Sequence, residues 1–510
     1  MQLNHRINLI LLLAIFLVGC SSLPNKIIHP IEPILVAQPT TLSKLTNNHQ
    51  PQIPHHKMSA ILLQNTGWDA FAQRLALIES AENSIDIQYY IWNADVSGYY
   101  LATRLIAAAN RGVKVRVLLD DININERESL LAELDLHPQI DIRIFNPIPN
   151  RRGLTKWLSF FNDFSRLNRR MHNKSFTVDG VLSVVGGRNI GDEYFDLSAD
   201  VNFRDRDVLI MGKVVTDIHM SFLNYWNSPW SYPINLLTDS YASTVPVLQK
   251  LEMPHYKGYP DLPEGKEVSY HFLKELMAQM FWVNAHYISD QPVPIDADNT
   301  NKPKATAKYL AELARKSETQ ILLESAYLIF DDHQLKAFQS ISNRNVQVKA
   351  LTNSLASNDL VTNHSGYADR RKEMLEHGIQ LFEMKPSSKL CEKSTKDLTK
   401  CAPTTGYGLH AKSSVFDRKI AAIGSYNFNL RSTYLNTESL LIIENQVIAE
   451  SLANDIERAM NQDNSWSLHL HNGNVQWRSD GESWDNEPKT ELMERIKSRL
   501  LQLLPLEKYL

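Results

Sequence analysis

Hydrophobic positions along the middle of the chain follow two periods, and the same succession of periods occurs twice. Alternating or continuous apolar runs predict β-strands, whereas apolar residues three and four apart predict amphipathic helices. The pattern predicts strand, helix and strand over residues 84–92, 98–111 and 113–120, and again over residues 320–330, 332–344 and 346–353. The chain is therefore expected to contain a repeated α/β unit.

The two units are related in sequence as well as in pattern. NRGVKVRVLLDD at 110–121 aligns without gaps with NRNVQVKALTNS at 343–354, at an offset of 343 − 110 = 233. A repeat of this size indicates a duplicated unit. The alternation of strands and helices favours mainly parallel strand pairing in each copy.

The repeat divides the chain into segments. We predict a signal peptide at 1–19, a tether at 20–58, lobe 1 at 59–230, a connector at 231–300, lobe 2 at 301–465 and a C-terminal extension at 466–510. The connector contains seven prolines and many aromatic residues, which favours a segment wrapped on the surface. A small independent domain is the alternative, because about 70 residues can just sustain a core.

The N-terminus predicts export. Arg6 precedes an apolar run at 9–19 that is too short to span a bilayer as a helix, so it is typical of a secretory signal. The sequence LVGC at 17–20 resembles the lipobox of bacterial lipoproteins, which implies acylation of Cys20. Ser21 resembles the outer-membrane sorting pattern, so we expect a lipoprotein of the outer membrane that faces the periplasm. A soluble secreted protein with an incidental cysteine is the alternative.

Composition narrows the functional classes. Hydrophobic residues make up 43% of the chain and charged residues 22%, as in an ordinary globular protein. Counting 53 Lys and Arg against 57 Asp and Glu gives a net charge of −4, which argues against nonspecific binding of nucleic acid. Export to an oxidising compartment predicts a disulfide bond between Cys391 and Cys401, with two free thiols as the alternative.

One motif of the form HxKxxxxD occurs in each repeated unit. The two motifs stand at an offset of 410 − 172 = 238 and contain His172, Lys174 and Asp179 in the first copy and His410, Lys412 and Asp417 in the second. Each motif begins an apolar strand pattern, on which His and Lys, two residues apart, share a face. The Asp, five residues after the Lys, faces the other side, so a structural role is expected for it.

These motifs closely resemble those of the phospholipase D superfamily. The resemblance implies two pseudo-two-fold-related lobes, each a mixed sheet flanked by helices, with one active site at their interface. It also implies a phosphohistidine intermediate on His172, an acid and base role for His410, phosphate binding by both lysines, and no metal or other cofactor. A monomer would suffice to form the site, whereas the oligomeric state stays open.

Further positions match the superfamily and are expected to support the site. Asn189 and Asn427 follow the motifs at the same offset of 427 − 189 = 238, and Ser425 stands where the first half has a glycine. Asp207 and Glu438 stand where the family keeps an acid that orients the catalytic His. The spacing from His to acid differs between the halves, 207 − 172 = 35 against 438 − 410 = 28, which leaves the pairing of Asp207 open.

Longer stretches resemble the C-type bacterial cardiolipin synthases, which implies transfer of a phosphatidyl group between phospholipids. Hydrolysis to phosphatidate would use the same residues, because only the acceptor differs. A nuclease and a non-catalytic envelope protein on the same scaffold are more remote alternatives. Phospholipid substrates are the expected partners, and no nucleic acid is expected.

Two segments have features of membrane contact or core packing. Residues 151–170 combine Trp157 and three phenylalanines with arginines, which is typical of an interfacial helix, and a core helix is the alternative. At the C-terminus an apolar stripe recurs at helical spacing, formed by Leu492, Ile496, Leu500, Leu503 and Leu504. We expect this second stripe to dock into the core, because such stripes usually mark a buried face.

Overall fold

The computed structural model describes residues 31–33, 39–49, 58–122, 128–149, 164–237, 258–292, 302–395 and 397–503, together with residues 23, 253, 256 and 509. The predicted signal peptide with Cys20, most of the predicted tether, and residues 151–163 of the predicted interfacial segment lie outside these residues. Within the described ranges, no helix combines the length and the apolar character needed to cross a bilayer.

The first half of the described chain forms one mixed sheet with helices packed on it. Its elements are α1 (Thr41–Asn48), β1 (Ser59–Gln64), α2 (Gly67–Ser80), β2 (Ser84–Tyr89), α3 (Val96–Asn110), β3 (Lys114–Asp120), α4 (Glu128–Asp135), β4 (Ile140–Phe145), α5 (Phe164–Leu167), β5 (Ser175–Val178), β6 (Leu182–Gly186), β7 (Val201–Arg204), β8 (Asp207–Gly212), α6 (Lys213–Trp226) and β9 (Ser231–Pro233). The strand order is β9-β4-β3-β2-β5-β6-β8-β1.

The second half repeats this plan. Its elements are α7 (Lys266–Met277), β10 (Phe281–Ser289), α8 (Ala305–Lys316), β11 (Gln320–Ser325), α9 (Asp332–Ser342), β12 (Gln347–Asn353), α10 (Val361–Glu376), β13 (Ile379–Met384), α11 (Leu390–Ser394), β14 (Gly406–Leu409), β15 (Lys412–Phe416), β16 (Ile420–Gly424), α12 (Leu430–Tyr434), β17 (Ser439–Glu444), α13 (Gln446–Ala459), β18 (Ser465–His471), β19 (Asn474–Ser479), β20 (Glu482–Trp484) and α14 (Leu492–Gln502). The strand order is β10-β17-β16-β15-β11-β12-β13-β18-β19-β20.

Within the main sheet of each half, parallel pairing is confined to three strands, so the expectation of mainly parallel sheets is wrong. Strands β2, β3 and β4 pair in parallel, as do β11, β12 and β13, whereas the neighbours on either side run antiparallel. The reason is local, because β5–β6 and β15–β16 are hairpins. Both central residues of each turn have positive φ, as a tight hairpin turn requires: Asp179 and Gly180 in one, Asp417 and Arg418 in the other.

Strand β10 belongs to both sheets. Its residues 281–283 pair with β1, and its residues 284–289 pair with β17. Among the described residues the two halves therefore form one continuous sheet of 18 strands. A two-stranded parallel sheet, β7 with β14, joins the lobes a second time.

The predicted connector and tether differ from the structure. Strand β9 closes one edge of the first sheet, and α7 packs against α2 with Leu273 and Met277 buried. The tether prediction missed α1, whose Leu42 and Leu45 are buried in the core of lobe 1. These pieces carry few apolar residues each, so their burial depends on partners that are distant in sequence.

The C-terminal apolar stripe does not dock into the core, contrary to the expectation. Leu492, Leu500 and Leu503 of this region are 64%, 60% and 79% exposed, whereas Ser498 of α14 is 2% exposed. Helix α14 packs against α10 through its small and polar side. The predicted boundary of the extension at residue 466 also falls inside β18, which continues the sheet beyond lobe 2.

The disulfide bond between Cys391 and Cys401 closes a loop of lobe 2 that rests on lobe 1. Ser394 donates a hydrogen bond to Asp196 at 3.2 Å, and the Lys400 ammonium donates to the carbonyl of Leu197 at 2.9 Å. The bond therefore stabilises a segment that contributes to the contact between the lobes.

Replacing both Cys391 and Cys401 with Ala should lower the free energy of unfolding by roughly 2–3 kcal/mol. The reason is that a crosslink between residues ten positions apart reduces the conformational entropy of the unfolded chain. Denaturant unfolding of the oxidised wild type, the reduced wild type and the double variant measures the effect. The reduced wild type should match the variant. Equal midpoints for all three would contradict the prediction.

Candidate active site

The two HxK motifs meet at the seam between the lobes. His172 and Lys174 precede β5. In the equivalent strand β15, Lys412 is the first residue and His410 precedes it. All four side chains are buried, with each histidine 6% exposed and the lysines 1% and 2%. The structure thus brings together the four residues that the sequence analysis places in one site.

Each histidine pairs with a carboxylate from the opposite lobe. His172 Nδ1 lies 2.8 Å from Glu438 Oε2, and His410 Nδ1 lies 2.5 Å from Asp205 Oδ2. The backbone repeats this exchange, because His172 N–H donates to the carbonyl of Thr437 at 2.9 Å and His410 N–H donates to that of Arg204 at 2.8 Å. In both cases the carbonyl belongs to the residue just before the pairing acid. Neither lobe alone contains a complete pair.

Asp207 does not orient a catalytic histidine, so this part of the sequence prediction is wrong. Its carboxylate pairs with the buried Arg74 guanidinium at 2.8 Å inside lobe 1. Sheet register explains the difference: Asp207 opposes Gly186 in β6, and Leu440 opposes the matching Gly424 in β16. Asp207 is therefore equivalent to Leu440 rather than to Glu438.

The residue that the sequence analysis missed is Asp205. Its separation from Glu438 is 438 − 205 = 233, the same offset that relates the two aligned repeat segments. That equality was a usable signal. The HxK motifs stand at a different offset, 410 − 172 = 238, so counting from the motifs does not lead from Glu438 to Asp205.

Hydrogen bonding fixes the tautomer of His172. Nδ1 contacts the Glu438 carboxylate and also the carbonyl oxygen of Ser425 at 3.0 Å, and both groups can only accept. Nδ1 must therefore carry the proton, which leaves the lone pair of the neutral ring on Nε2. Asp205 imposes the same arrangement on His410.

Glu438 is itself held by two hydroxyl groups. Ser425 Oγ donates to its Oε2 at 2.5 Å, and Ser432 Oγ donates to its Oε1 at 2.7 Å. The first lobe cannot repeat the serine contact, since a Cβ at Gly187 would collide with Asp205 Oδ1. The glycine that replaces Ser425 in the first half is therefore required by the shorter acid beside it.

Burial controls the protonation of the site. It lowers the pKa of His172 to about 4 and that of His410 to about 3, despite the opposing effect of the paired carboxylates. Both imidazoles are therefore neutral at pH 7. An unfolded histidine titrates near pH 6.5, so below that pH the unfolded state binds protons that the native state does not. The native state is therefore progressively destabilised as the pH falls from about 6.5 to the folded pKa values.

The two ammonium groups provide positive charge without water around them. Burial lowers the pKa of Lys174 to about 7 and that of Lys412 to about 8. Each ammonium donates to the carbonyl of the histidine two residues earlier, which leaves further N–H groups for an anion. A bound phosphate would raise both pKa values, because an adjacent negative charge favours the protonated amine.

Asp179 and Asp417 lie outside this reactive cluster, in the hairpin turns that follow β5 and β15. Asp179 accepts hydrogen bonds from the backbone N–H groups of residues 82–84, which lead into β2. Asp417 accepts in the same way from residues 318–320, which lead into β11. Each motif therefore ends in a residue that fixes the strand next to it, and neither Asp has a place in the chemistry.

Asparagine and aromatic side chains complete the walls of the site. Asn189 donates to the Tyr194 hydroxyl at 3.0 Å, and the Tyr194 ring stands edge-on to His410 with ring centres 5.0 Å apart. Tyr90 takes the same position against His172 at 4.8 Å. Asn427 is buried, and its Oδ1 has no hydrogen-bond partner among the described residues. The sequence analysis did not identify the tyrosines, because nothing in their spacing marks them.

In the part of the chain that the structure describes, His, Cys, Asp and Glu side chains are the candidate metal ligands. No group of three or more His, Cys, Asp or Glu side chains in these ranges is arranged to hold a metal ion.

Comparison with known proteins places both lobes in one family. Residues 75–226 and 310–460 each match the family model described as cardiolipin synthase, PLD-like domain. The chain is 36% identical over 450 residues to cardiolipin synthase C of Escherichia coli (strain K12), which covers 86% of this chain and 93% of the relative. It is 31% identical over 512 residues to an uncharacterized protein of Helicobacter pylori (strain J99 / ATCC 700824), covering 98% of this chain and 99% of that protein.

A solved structure supports the fold. Phosphatidylserine synthase of Haemophilus influenzae Rd KW20 matches with a TM-score of 0.55 at 12% identity, over 92% of this chain and 100% of that one. At this identity the match concerns the fold alone.

The exchange of acids between lobes can be tested by nuclear magnetic resonance of imidazole nitrogens. Asp205→Ala should change the Nδ1–H signal of His410 and leave that of His172 unchanged, and Glu438→Ala should do the reverse. Each carboxylate raises the pKa of its histidine, so its removal lowers that pKa further and both rings stay neutral at pH 7. The signals therefore report the lost hydrogen bond rather than protonation.

Asp207→Asn is the matched control for this experiment. This substitution removes a negative charge two residues from Asp205 and keeps the size of the side chain. Because Asp207 contacts neither histidine, both histidine signals should stay unchanged. A change at His172 on replacing Asp205 would contradict the crossed pairing.

Proposed function

Because the chain belongs to the phospholipase D superfamily and carries two cardiolipin synthase PLD-like domains, we propose that it is a phosphatidyltransferase that makes cardiolipin from two phospholipids. The observation that carries the proposal is the seam, where two carboxylate-held imidazoles meet two buried ammonium groups. This set supplies a nucleophile, a proton donor and fixed positive charge, which are the needs of phosphodiester transfer.

The first half-reaction forms a covalent intermediate. His172 Nε2 attacks the phosphorus of a phospholipid, and the bond between phosphorus and the headgroup oxygen breaks. His410 gives its Nε2 proton to the departing oxygen, so the headgroup leaves as an alcohol and the phosphatidyl group stays on His172. The negative charge of the bound phosphate favours the protonated form of His410 that this step requires.

The second half-reaction reverses the roles. An alcohol of a second phospholipid gives its proton to His410 Nε2, and its oxygen attacks the phosphorus. The bond to His172 then breaks, and the phosphatidyl group is transferred. Lys174 and Lys412 balance the charge on the phosphate oxygens in both steps.

The assignment of His172 as the nucleophile rests on the family resemblance, and its surroundings support it. Two acceptors hold its Nδ1, and Ser425 and Ser432 hold the acid beside it. A ring fixed in this way presents Nε2 in one direction.

An alcohol acceptor distinguishes transfer from hydrolysis. Transfer is favoured by the 36%-identical relative named as a cardiolipin synthase and by the 6% exposure of each histidine, which limits access of bulk water. Incubation of the purified protein with acyl-labelled phosphatidylglycerol vesicles, followed by chromatography, is the deciding assay. Labelled cardiolipin supports transfer, whereas phosphatidate alone would indicate a hydrolase.

We further propose that the enzyme is a lipid-anchored protein of the bacterial envelope. The support is the lipobox-like end of the N-terminal apolar run at Cys20 and the disulfide bond between Cys391 and Cys401 in the folded body. Acylation would hold the active site near its phospholipid substrates.

Replacing either His172 or His410 with Ala should lower turnover by orders of magnitude, and the double variant should be little slower than the singles, because the pair acts as one unit. His471→Ala, at an exposed position, is the control and should behave as the wild type. Rapid denaturation in neutral detergent during turnover should leave acyl label on His172, because the N–P bond of phosphohistidine is labile in acid. Label on His410 would reverse the assignment of the two roles.

Replacing Cys20 with Ser should abolish incorporation of metabolically supplied labelled fatty acid into the protein. The Cys391→Ser, Cys401→Ser double variant is the control and should incorporate as much as the wild type. Incorporation into the Cys20→Ser variant would show that the anchor is elsewhere or absent.

A further inference from the structure

Helix α14 presents an apolar face to the outside of the molecule. We call this surface the α14 face; it consists of Leu492, Met493, Ile496, Leu500 and Leu503, which are 64%, 70%, 39%, 60% and 79% exposed. At about 100° per residue these five side chains lie within an arc of about 100°. The opposite side of the helix, around the buried Ser498, packs on α10.

Cations border the α14 face on both sides. Successive helix positions place Lys497 just beyond one margin of the apolar arc and Arg499 just beyond the other, and both are exposed. Long cationic side chains at the margins of an apolar stripe reach anionic headgroups while the stripe enters the acyl region. The arrangement fits the boundary between lipid and water.

Helix α10, on which α14 packs, begins close to the active site. The partner helix α10 starts directly after Asp359 and the exposed Leu360, and the Asp359 carboxylate accepts a hydrogen bond from the Tyr327 hydroxyl at 2.9 Å. The charge of Asp359 also acts on the Lys412 ammonium.

Tyr509 contacts residues of both lobes. The carbonyl of Tyr509 accepts a hydrogen bond from Arg431 at 3.1 Å, and the Tyr509 ring contacts the partly exposed Phe164 with ring centres 4.9 Å apart. Arg431 in turn acts electrostatically on Tyr90, the wall of the site at His172.

We propose that the α14 face docks the enzyme on an anionic phospholipid bilayer, with the five apolar side chains in the interface and the active site opening toward the lipid. The proposal rests on the proposed function in one respect, since a site that acts on bilayer phospholipids must reach them. A second copy of the chain fits the surface less well, because paired α14 faces would bring Lys497 and Arg499 against like charges.

Photocrosslinking in the full-length chain identifies what covers the surface. We would place p-benzoylphenylalanine at position 500, bind the protein to vesicles of phosphatidylglycerol and phosphatidylcholine, and irradiate. The control carries the same group at position 268 of α7, where Val268 is 55% exposed. Adducts with lipid at position 500 and few at 268 support docking. Crosslinked protein dimers, no adduct at 500, or equal lipid adducts at both positions would overturn it.

Kinetics separate docking from chemistry. In a Met493→Ser, Leu500→Ser double variant, the rate on vesicles should fall about ten-fold or more, since each apolar group contributes substantially when buried. The rate on a short-chain phospholipid dispersed below its critical micelle concentration should stay at the wild-type value. The control is Val268→Ser with Phe281→Ser, at comparably exposed positions, and it should keep both rates.

The two experiments fail independently. An unchanged vesicle rate in the α14 variant, or an equal loss on both substrates, would overturn the docking proposal and leave the proposed function standing. If the wild type turned over neither substrate, the proposed function would fail, and the lipid adducts at position 500 would still decide whether α14 enters the bilayer.

Discussion

The structure depends on an exchange of buried acids between its two lobes. Glu438 and Asp205 are almost fully buried, and a buried carboxylate without a partner is strongly unfavourable. Each acid pairs with the histidine of the opposite lobe, and a backbone hydrogen bond between the lobes lies beside each pair. Flanking Arg204 reinforces the contact by pairing with Glu324 of lobe 2 at 3.0 Å. The energetic demand of burying these charges therefore holds the lobes together.

The same exchange sets the chemistry. Carboxylates bound at Nδ1 fix the ring orientation of both histidines, while burial keeps the rings neutral and the nearby ammonium groups easily titrated. An empty site is thus poor in bound protons, and an entering phosphate supplies the negative charge that raises the pKa of all four groups. Protonation and substrate binding are coupled through electrostatics alone. The two acids are held differently. Glu438 accepts hydrogen bonds from two serine hydroxyls, whereas Asp205 lies beside a glycine that has none to offer. The two halves of the site therefore differ despite their common fold.

The sequence predicted the features that local patterns determine. The two lobes and both HxK motifs follow from the repeat and from strand periodicity. The mixed sheet was implied by the family resemblance, because periodicity alone favoured mainly parallel pairing. Asp205 was missed in favour of Asp207, because sheet register and the partner across the seam are not local properties. The stripe at Leu492, Leu500 and Leu503 predicted an amphipathic helix, but periodicity does not tell whether the apolar side packs on the protein core or faces outward. Strand β10 was hidden in the predicted connector for a related reason, since its two partners lie far away in the chain.

Sharing β10 between the sheets also bears on self-association of the protein. Two separate sheets would have four open edges, and an open edge invites pairing with a strand of another molecule. In the described chain the joined sheet ends only at β9 and β20, each of three residues. Strand β9 ends at Pro233, which has no N–H to offer a neighbour, and β20 begins with the exposed Glu482. Fusion of the sheets thus leaves a large β-structure with two short and protected edges, which opposes aggregation through strand addition.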